Sequence, residues 1–170
     1  FQKFKDYDLI ILNDIRSISS GLSQELIKYI ETGGKVLVMP AVDADITTYN
    51  SFLNNCGASP LNKLEKTEKI VSEINTRDFV FSDVYESINA NLRLPATKAN
   101  YSVIKSGISQ NLLTYRDGSP FLLKSIKGEG QLFVCASPLN NEYNNLVSNA
   151  EVFVPMIYKM ALAKNNASKL

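Results

Sequence analysis

The stretch Tyr29–Ala41, YIETGGKVLVMPA, places a helix end, a Gly-Gly stop and an apolar strand in direct succession. Glycine just after the last periodic residue is a common helix stop. The run KVLVMP is typical of a strand buried on both faces of a sheet. Ligands bind at the carboxyl ends of strands in open α/β sheets, yet this strand ends in Met39, Pro40 and Ala41, none of which is a nucleophile.

A second apolar run, Tyr7–Asp14, precedes this stretch and predicts another buried strand. Between the two strands, apolar residues recur at helical spacing, with Ser20 as the expected N-cap and Gly33-Gly34 as the stop. The periodic positions are Leu22, Leu26, Tyr29 and Ile30. Strand, helix and strand with short joints predict a βαβ unit of parallel strands.

The middle of the chain predicts four further elements. Ile46–Cys56 indicates a helix that ends at Gly57. Leu61–Ile74 is ambiguous, because its apolar residues lie near helical positions while Lys69–Asn75 alternates as a strand does, and we favour the strand. Asp78–Ile88 favours a short helix, and Ala99–Ser106 favours a strand.

The last third of the chain predicts an antiparallel meander and a closing helix. Three β-type runs are separated by Asp117-Gly118 and by Gly128 with Gly130, and Asp-Gly between apolar runs is a strong hairpin signal. Ser148 and Glu151 have capping-box spacing. They precede a helical stripe of Phe153, Ile157, Met160 and Ala161, in which Pro155 should start or kink the helix.

Together these patterns predict one α/β domain over residues 1–170. We expect a three-layer, flavodoxin-like fold with a mainly parallel central sheet, helices on both faces and an antiparallel extension on the C-terminal side. No window reaches the roughly 18 apolar residues of a membrane span. Because the chain starts at Phe1, we expect it to be a piece of a longer protein.

Composition excludes several classes of function. The chain of 170 residues carries 18 basic and 17 acidic residues without a basic cluster, which gives no footprint for nucleic acid. It has no histidine, so neither a Ser-His-Asp nor a Cys-His-Glu site can be assembled, and His-ligated metal is excluded. Cys56 and Cys135 lack the spacing of a zinc site. They read as free core thiols, with a single disulfide as the open alternative.

Five polar residues follow the first two predicted strands and form the candidate ligand site. They are Asn13, Asp14, Arg16, Asp43 and Asp45. Because both strands would end at the same edge of a parallel sheet, we expect these side chains to share one crevice. Asp14 and Arg16 could instead form only a surface ion pair.

The sequence Asp43-Ala-Asp45-Ile-Thr47 resembles the D-x-D-x-T motif of haloacid-dehalogenase-type phosphatases. The resemblance implies Asp43 as nucleophile, Asp45 as acid/base and Mg²⁺ to offset charge. The simpler interpretation is that Asp45, or Asp43, caps the helix that begins near Ile46. We expect no cofactor.

Three stretches together resemble the globular domain of bacterial aerotolerance-type (BatA-like) proteins, which have a double-transmembrane anchor. They are YIETGGKVLV, LLTYRDGSPFLLKSIKGEGQLFVCASPLN and AEVFVPMIYKMAL. The resemblance implies a class I glutamine amidotransferase-like fold, a membrane-anchored parent and an extracytoplasmic position for this domain. The amidotransferase Cys, His and Glu cannot be carried over. The sharp turn after the strand, called the elbow, where those enzymes hold the nucleophile, falls near Pro40-Ala41, and the chain has no histidine.

We therefore predict a non-catalytic interaction or ligand-sensing domain with a protein partner, and no nucleic-acid partner. Tyr85, Tyr101 and Tyr143 lie outside the apolar runs and could belong to the partner interface. The alternative is a Mg²⁺-dependent phosphohydrolase that uses Asp43 and Asp45.

Overall fold

The computed structural model describes residues 3–83, 93–106 and 108–164, in which nine strands and three α-helices are found. The strands are β1 Ile10–Asn13, β2 Lys35–Met39, β3 Leu61–Glu65, β4 Lys69–Ile74, β5 Ala96–Thr97, β6 Asn100–Val103, β7 Gln110–Tyr115, β8 Pro120–Lys127 and β9 Gly130–Cys135. The helices are α1 Ser20–Glu31, α2 Ile46–Asn55 and α3 Ala150–Leu162, and 3-10 turns form at Phe4–Asp6 and Phe79–Phe81.

Seven strands form one mixed sheet in the order β1-β2-β9-β8-β7-β4-β5, while β3 and β6 pair separately. Only β1 with β2 and β2 with β9 are parallel pairs in the described part of the sheet. The pairs β9–β8, β8–β7, β7–β4 and β4–β5 are antiparallel. The prediction of a mainly parallel, three-layer flavodoxin-like sheet is therefore wrong, since the sheet is mixed and curled, with few helices.

The predicted meander causes this difference, because it forms the body of the sheet and is not an extension at its side. β9 lies directly against β2, so both hairpins continue outward from the centre. β4, from the middle of the chain, then pairs with β7 on the far side. β8 and β9 are almost continuously buried, as β2 is. Burial on both faces gives the same continuous apolar pattern in both kinds of sheet.

The βαβ unit at the start of the chain is confirmed. β1 and β2 pair in parallel, with Ile10 opposite Val36. α1 begins one residue earlier than predicted, because the Ser19 side chain caps it by accepting from the Leu22 N–H at 3.2 Å.

The Gly-Gly stop after α1 adopts a Schellman motif. Gly34 N–H donates to the Tyr29 carbonyl at 2.8 Å, and Gly33 N–H donates to the Ile30 carbonyl at 3.0 Å. Gly33 has a φ of 110°, which favours glycine. A side chain at position 34 would collide with the Tyr29 ring. These two requirements explain why both residues are glycine.

The predictions for the remaining elements have mixed outcomes. α2 and β4 are confirmed, and β3 was missed. A 3-10 turn lies at the start of the predicted helix Asp78–Ile88, whose residues 84–88 fall outside the described part, Tyr85 included. The capping box at Ser148 is wrong, because α3 follows Asn149 and Ser148 Oγ donates to the Asn145 carbonyl. Pro155 lies inside α3.

The core divides into two clusters, one on each face of the sheet. Successive residues of a strand point to opposite faces, so Val36 and Val38 pack with α1 and α2 while Leu37 and Met39 pack with α3. The small sheet of β3 and β6 joins the cluster of α1 and α2 through Leu61, Leu64, Tyr101 and Val103.

Candidate functional site

The loops after β1 and β2 meet at the carboxyl edge of the sheet, and the five candidate residues lie in these loops or, for Asn13, at the end of β1. Asn13 ends β1, and Asp14 follows with a φ of 61°, in the left-handed region that aspartate tolerates better than most residues. The Asp14 N–H donates to the Met39 carbonyl at 3.1 Å, which ties the two loops together. Asn13 and Asp14 border a cavity of about 220 Å³ with Pro138, Leu139 and Asn140.

Arg16 forms an ion pair with Asp43, and not with Asp14 as considered from the sequence. Arg16 Nε lies 3.6 Å from Asp43 Oδ2, and the side chains are 79% and 70% exposed. Exposed pairs of this kind contribute under about 1 kcal/mol, because water competes for both charges. The Arg16–Asp43 pair therefore contributes little to holding the two loops in place.

Asp45 caps α2, which confirms the simpler of its two interpretations. Its Oδ1 accepts from the N–H groups of Thr47 at 3.1 Å and Thr48 at 3.4 Å. Its own N–H donates to the Arg16 carbonyl at 2.7 Å. Thr48 Oγ1 accepts from the Ile18 N–H at 3.1 Å. Asp45 and Thr48 thus join the loop after β1 to the start of α2.

Two buried tyrosines occupy the space beneath these loops. The Tyr101 hydroxyl lies 2.5 Å from the Ala41 carbonyl and 2.9 Å from the Val42 carbonyl, and it accepts from the Ala44 N–H at 3.2 Å. The Tyr49 hydroxyl donates to the Ile15 carbonyl. Burial raises the pKa of Tyr101 and raises the pKa of Tyr49 to about 12, so both stay protonated donors.

The sequence does not predict that the hydroxyls of Tyr49 and Tyr101 bind loop carbonyls. Tyr101 was considered for a partner interface, and the structure places it in the core. It lies 60 residues from Ala41 along the chain, and no local pattern predicts such a contact. Tyr143 is half-buried, in the loop before α3.

This edge holds two carboxylates in the loop after β2, one paired on the surface and one engaged as a cap. Within the described ranges, no group of three or more His, Cys, Asp or Glu side chains is close enough to hold a metal ion. Pro40 and Ala41, at the elbow, are buried. Asp45, Tyr49 and Tyr101 all form hydrogen bonds to backbone groups at this edge.

Both cysteines are free thiols in the core. Burial is the main cause that raises the pKa of Cys56 and of Cys135 to about 12 in each case. A thiol with such a pKa carries almost no thiolate near neutral pH and is a poor nucleophile.

No family model and no curated protein matches this sequence. Solved structures do share its fold. The cold-adapted β-galactosidase of Rahnella sp. R3 matches with a TM-score of 0.67 and 15% identity, over 94% of this chain and 23% of that chain. A cytoplasmic protein of Salmonella typhimurium matches with a TM-score of 0.74 and 11% identity, over 96% of this chain and 74% of that chain. The N-terminal domain of mmIFT52 matches with a TM-score of 0.61 and 17% identity, over 94% of this chain and 80% of that chain.

At these identities the likeness extends to the fold alone. The chain spans only about a quarter of the β-galactosidase, so the same fold there is one part of a longer protein. In the described residues, no helix combines the length and apolar character needed to cross a bilayer.

Proposed function

We propose that this chain is a non-catalytic interaction or ligand-sensing domain of a membrane-anchored bacterial protein, placed on the extracytoplasmic side, and that it binds a protein partner. One observation carries the proposal. At the carboxyl edge, where an α/β enzyme keeps its chemistry, the hydroxyls of Tyr49 and Tyr101 bind loop carbonyls. Asp45 caps a helix there. These polar groups serve the fold, and the resemblance to anchored bacterial domains supplies the setting.

The partner surface that fits best is the outer face of α3, because this helix is apolar on both sides. Its inner face packs into the core through Val152, Met156 and Met160. Its outer face carries Val154, Tyr158 and Leu162, which are 60%, 63% and 47% exposed at i, i+4 and i+8 spacing. Exposed apolar residues that form one contiguous stripe mark an interaction surface. We therefore assign this stripe to an apolar surface of a partner protein.

Site-specific crosslinking tests the assignment in the full-length protein inside the bacterial cell. A photoreactive residue replaces Tyr158 in one version and Ser51, on the exposed side of α2, in the matched control. We expect position 158 to capture one defined protein, position 51 to capture none, and Val154→Asp to abolish the adduct.

Three outcomes would contradict the proposal. Position 158 could give no adduct, or both positions could give the same adducts. Adducts between two copies of this chain would assign the stripe to self-association and not to a partner.

Phosphohydrolysis at Asp43 and Asp45 stays the competing hypothesis. Capping by Asp45 counts against it, since that carboxylate already accepts two backbone N–H groups. Asparagine serves as an N-cap as well as aspartate does, but it cannot serve as an acid/base. The substitution Asp45→Asn therefore distinguishes the two hypotheses.

A further inference from the structure

A groove of about 870 Å³ lies at the opposite edge of the sheet, around the amino ends of β2 and β9. Its walls come from β8, from residues 77–79 and from the end of α3 at Ala163. This volume falls in the upper part of the range of about 300–1,000 Å³ that is usual for small-molecule sites. None of the candidate residues at the carboxyl edge lines it.

A buried ion pair lies in the groove and is already satisfied. Lys124 Nζ donates to Asp78 Oδ2, and both side chains are largely buried. Asp78 Oδ1 accepts from the Val80 N–H at 3.0 Å. A buried charge is costly unless it is paired, so Lys124 and Asp78 form a neutral, fixed part of the wall.

The other charges in the groove are predominantly positive. Lys35, Arg77 and Lys164 line it, against the single carboxylate of Glu129. In the part of the chain that the structure describes, none of the three cations has a carboxylate within 4.0 Å. Burial is the main cause that lowers the pKa of Lys35; the carboxylate of Asp8 opposes this shift, and the charge of Lys164 adds a smaller lowering.

Apolar surface lies next to these cations. Phe79 and Ile126 line the same groove and are both exposed to solvent. A phosphate group alone would fill only part of the volume and would leave this apolar wall wet. The groove therefore fits a ligand with an anionic head and an apolar body.

We propose that this groove binds a small organic phosphate, with the phosphate held by Lys35, Arg77 and Lys164 and an apolar or aromatic body against Phe79 and Ile126. Arginine and lysine suit a phosphate because both donate several charged hydrogen bonds. The site goes beyond the proposed function, because it uses none of the outer stripe of α3. It can therefore hold or fail independently of partner binding.

Amide NMR titration of the intact chain with phenyl phosphate tests the site, with inorganic phosphate and phenol as the two half-probes. We expect shifts at Gly33 and Ala163 in the groove and none at Asn13 and Asp14 on the opposite edge. Phenyl phosphate should bind about tenfold more tightly than inorganic phosphate, since the ring adds apolar burial. Added salt should weaken binding, because the attraction is electrostatic.

Three neutral variants assign the contacts. Lys35→Gln and Arg77→Gln should each weaken phenyl phosphate binding about tenfold, the loss of one charge-assisted contact. Lys66→Gln removes an exposed lysine from the loop between β3 and β4, outside the groove, and should change nothing. Arg77 is exposed, so its variant stays informative if Lys35→Gln fails to fold.

Four results would overturn the site. They are no shifts in the groove, shifts spread over the surface, equal weakening by Lys66→Gln, and tighter binding of phenol than of phenyl phosphate. Vesicles that contain phosphatidic acid form the last arm. Binding to those vesicles without binding to phenyl phosphate would indicate a lipid surface and would also contradict the proposal.

Discussion

The hydroxyl of Tyr101 donates to the carbonyl oxygen of Ala41 at 2.5 Å, across 60 residues of sequence. Tyr101 belongs to β6 in the small sheet, and Ala41 lies just after β2 in the large one. The Tyr101 hydroxyl oxygen also accepts from the Ala44 N–H at 3.2 Å. One side chain thus joins the two sheets and fills the carboxyl edge of the larger one.

Removing this hydroxyl should destabilise the domain. Tyr101→Phe removes the hydrogen bonds of the hydroxyl to the Ala41 and Val42 carbonyls, while the Ala44 N–H keeps its bond to the Ala41 carbonyl at 3.3 Å. The loss should cost about 1 kcal/mol of unfolding free energy. Urea denaturation measures the change. Tyr158→Phe removes the hydroxyl of an exposed tyrosine and should stay within about 0.5 kcal/mol of wild type. Equal stability of the two variants would contradict the role of Tyr101.

Replacing Gly34 of the Gly-Gly stop and Gly21 of α1 by alanine should change the unfolding free energy in opposite directions. A methyl group at Gly34 meets the Tyr29 ring, so Gly34→Ala should destabilise by about 1–3 kcal/mol through overpacking. Gly21 lies in α1 with nothing within 4 Å of an added methyl, so Gly21→Ala should stabilise by about 0.5–1 kcal/mol. Thermal unfolding of both variants checks the pair. If both variants shift the unfolding free energy in the same direction, the Tyr29 ring does not exclude a methyl group at position 34.

The cysteines should be chemically inert in the folded protein. Burial raises the pKa of Cys56 and of Cys135 to about 12, so at pH 8 both remain protonated and shielded. A disulfide reagent should label neither in native buffer and both after unfolding in urea. Rapid labelling of either thiol in the native state would contradict the structure there.

Lys35 should make stability depend on pH in the alkaline range. Its folded pKa lies below the ordinary value of 10.5, so the unfolded chain binds more protons in the window just below that value. The contribution of Lys35 to the unfolding free energy should then rise with pH through this window. It opposes the fall expected from the raised pKa values of the buried cysteines and tyrosines. Lys35→Gln should remove this contribution, so the variant should lose stability more steeply with pH than wild type. An identical pH dependence in both proteins would contradict the lowered pKa.

Local rules were sufficient to predict the βαβ unit, the Asp117-Gly118 hairpin and the helix after Asp45. In each case, neighbouring residues dictate the geometry: a stop, a turn or a cap. Local rules could not predict the order of the strands in the sheet. Whether β9 lies beside β2 or beyond it depends on packing between distant segments, and both arrangements bury the same apolar run.

The candidate site was predicted in the same partial way. The carboxyl edge and the cap at Asp45 follow from strand ends and loop chemistry. The contacts of Tyr49 and Tyr101 are long-range, and the groove at the other edge joins residues from five separate segments. Its lysines and arginine are unremarkable in sequence, because no two of Lys35, Arg77 and Lys164 are close along the chain.

The central claim is that Asp43 and Asp45 carry no catalysis, since Asp45 caps α2 and Asp43 forms only an exposed ion pair. A thermal melt with a phosphatase assay tests it most directly. Wild type, Asp45→Asn, Asp45→Ala and Asp43→Asn are compared with and without Mg²⁺. We predict that Asp45→Asn has the melting temperature of wild type. Asp45→Ala should lose about 1 kcal/mol of unfolding free energy, because the cap is removed. Asp43→Asn should change little.

We also predict no Mg²⁺ shift and no phosphatase turnover in any of the four proteins. A melting temperature of wild type that rises with Mg²⁺, together with turnover that Asp43→Asn and Asp45→Asn both abolish, would contradict the account. Those results would make the carboxyl edge an active site.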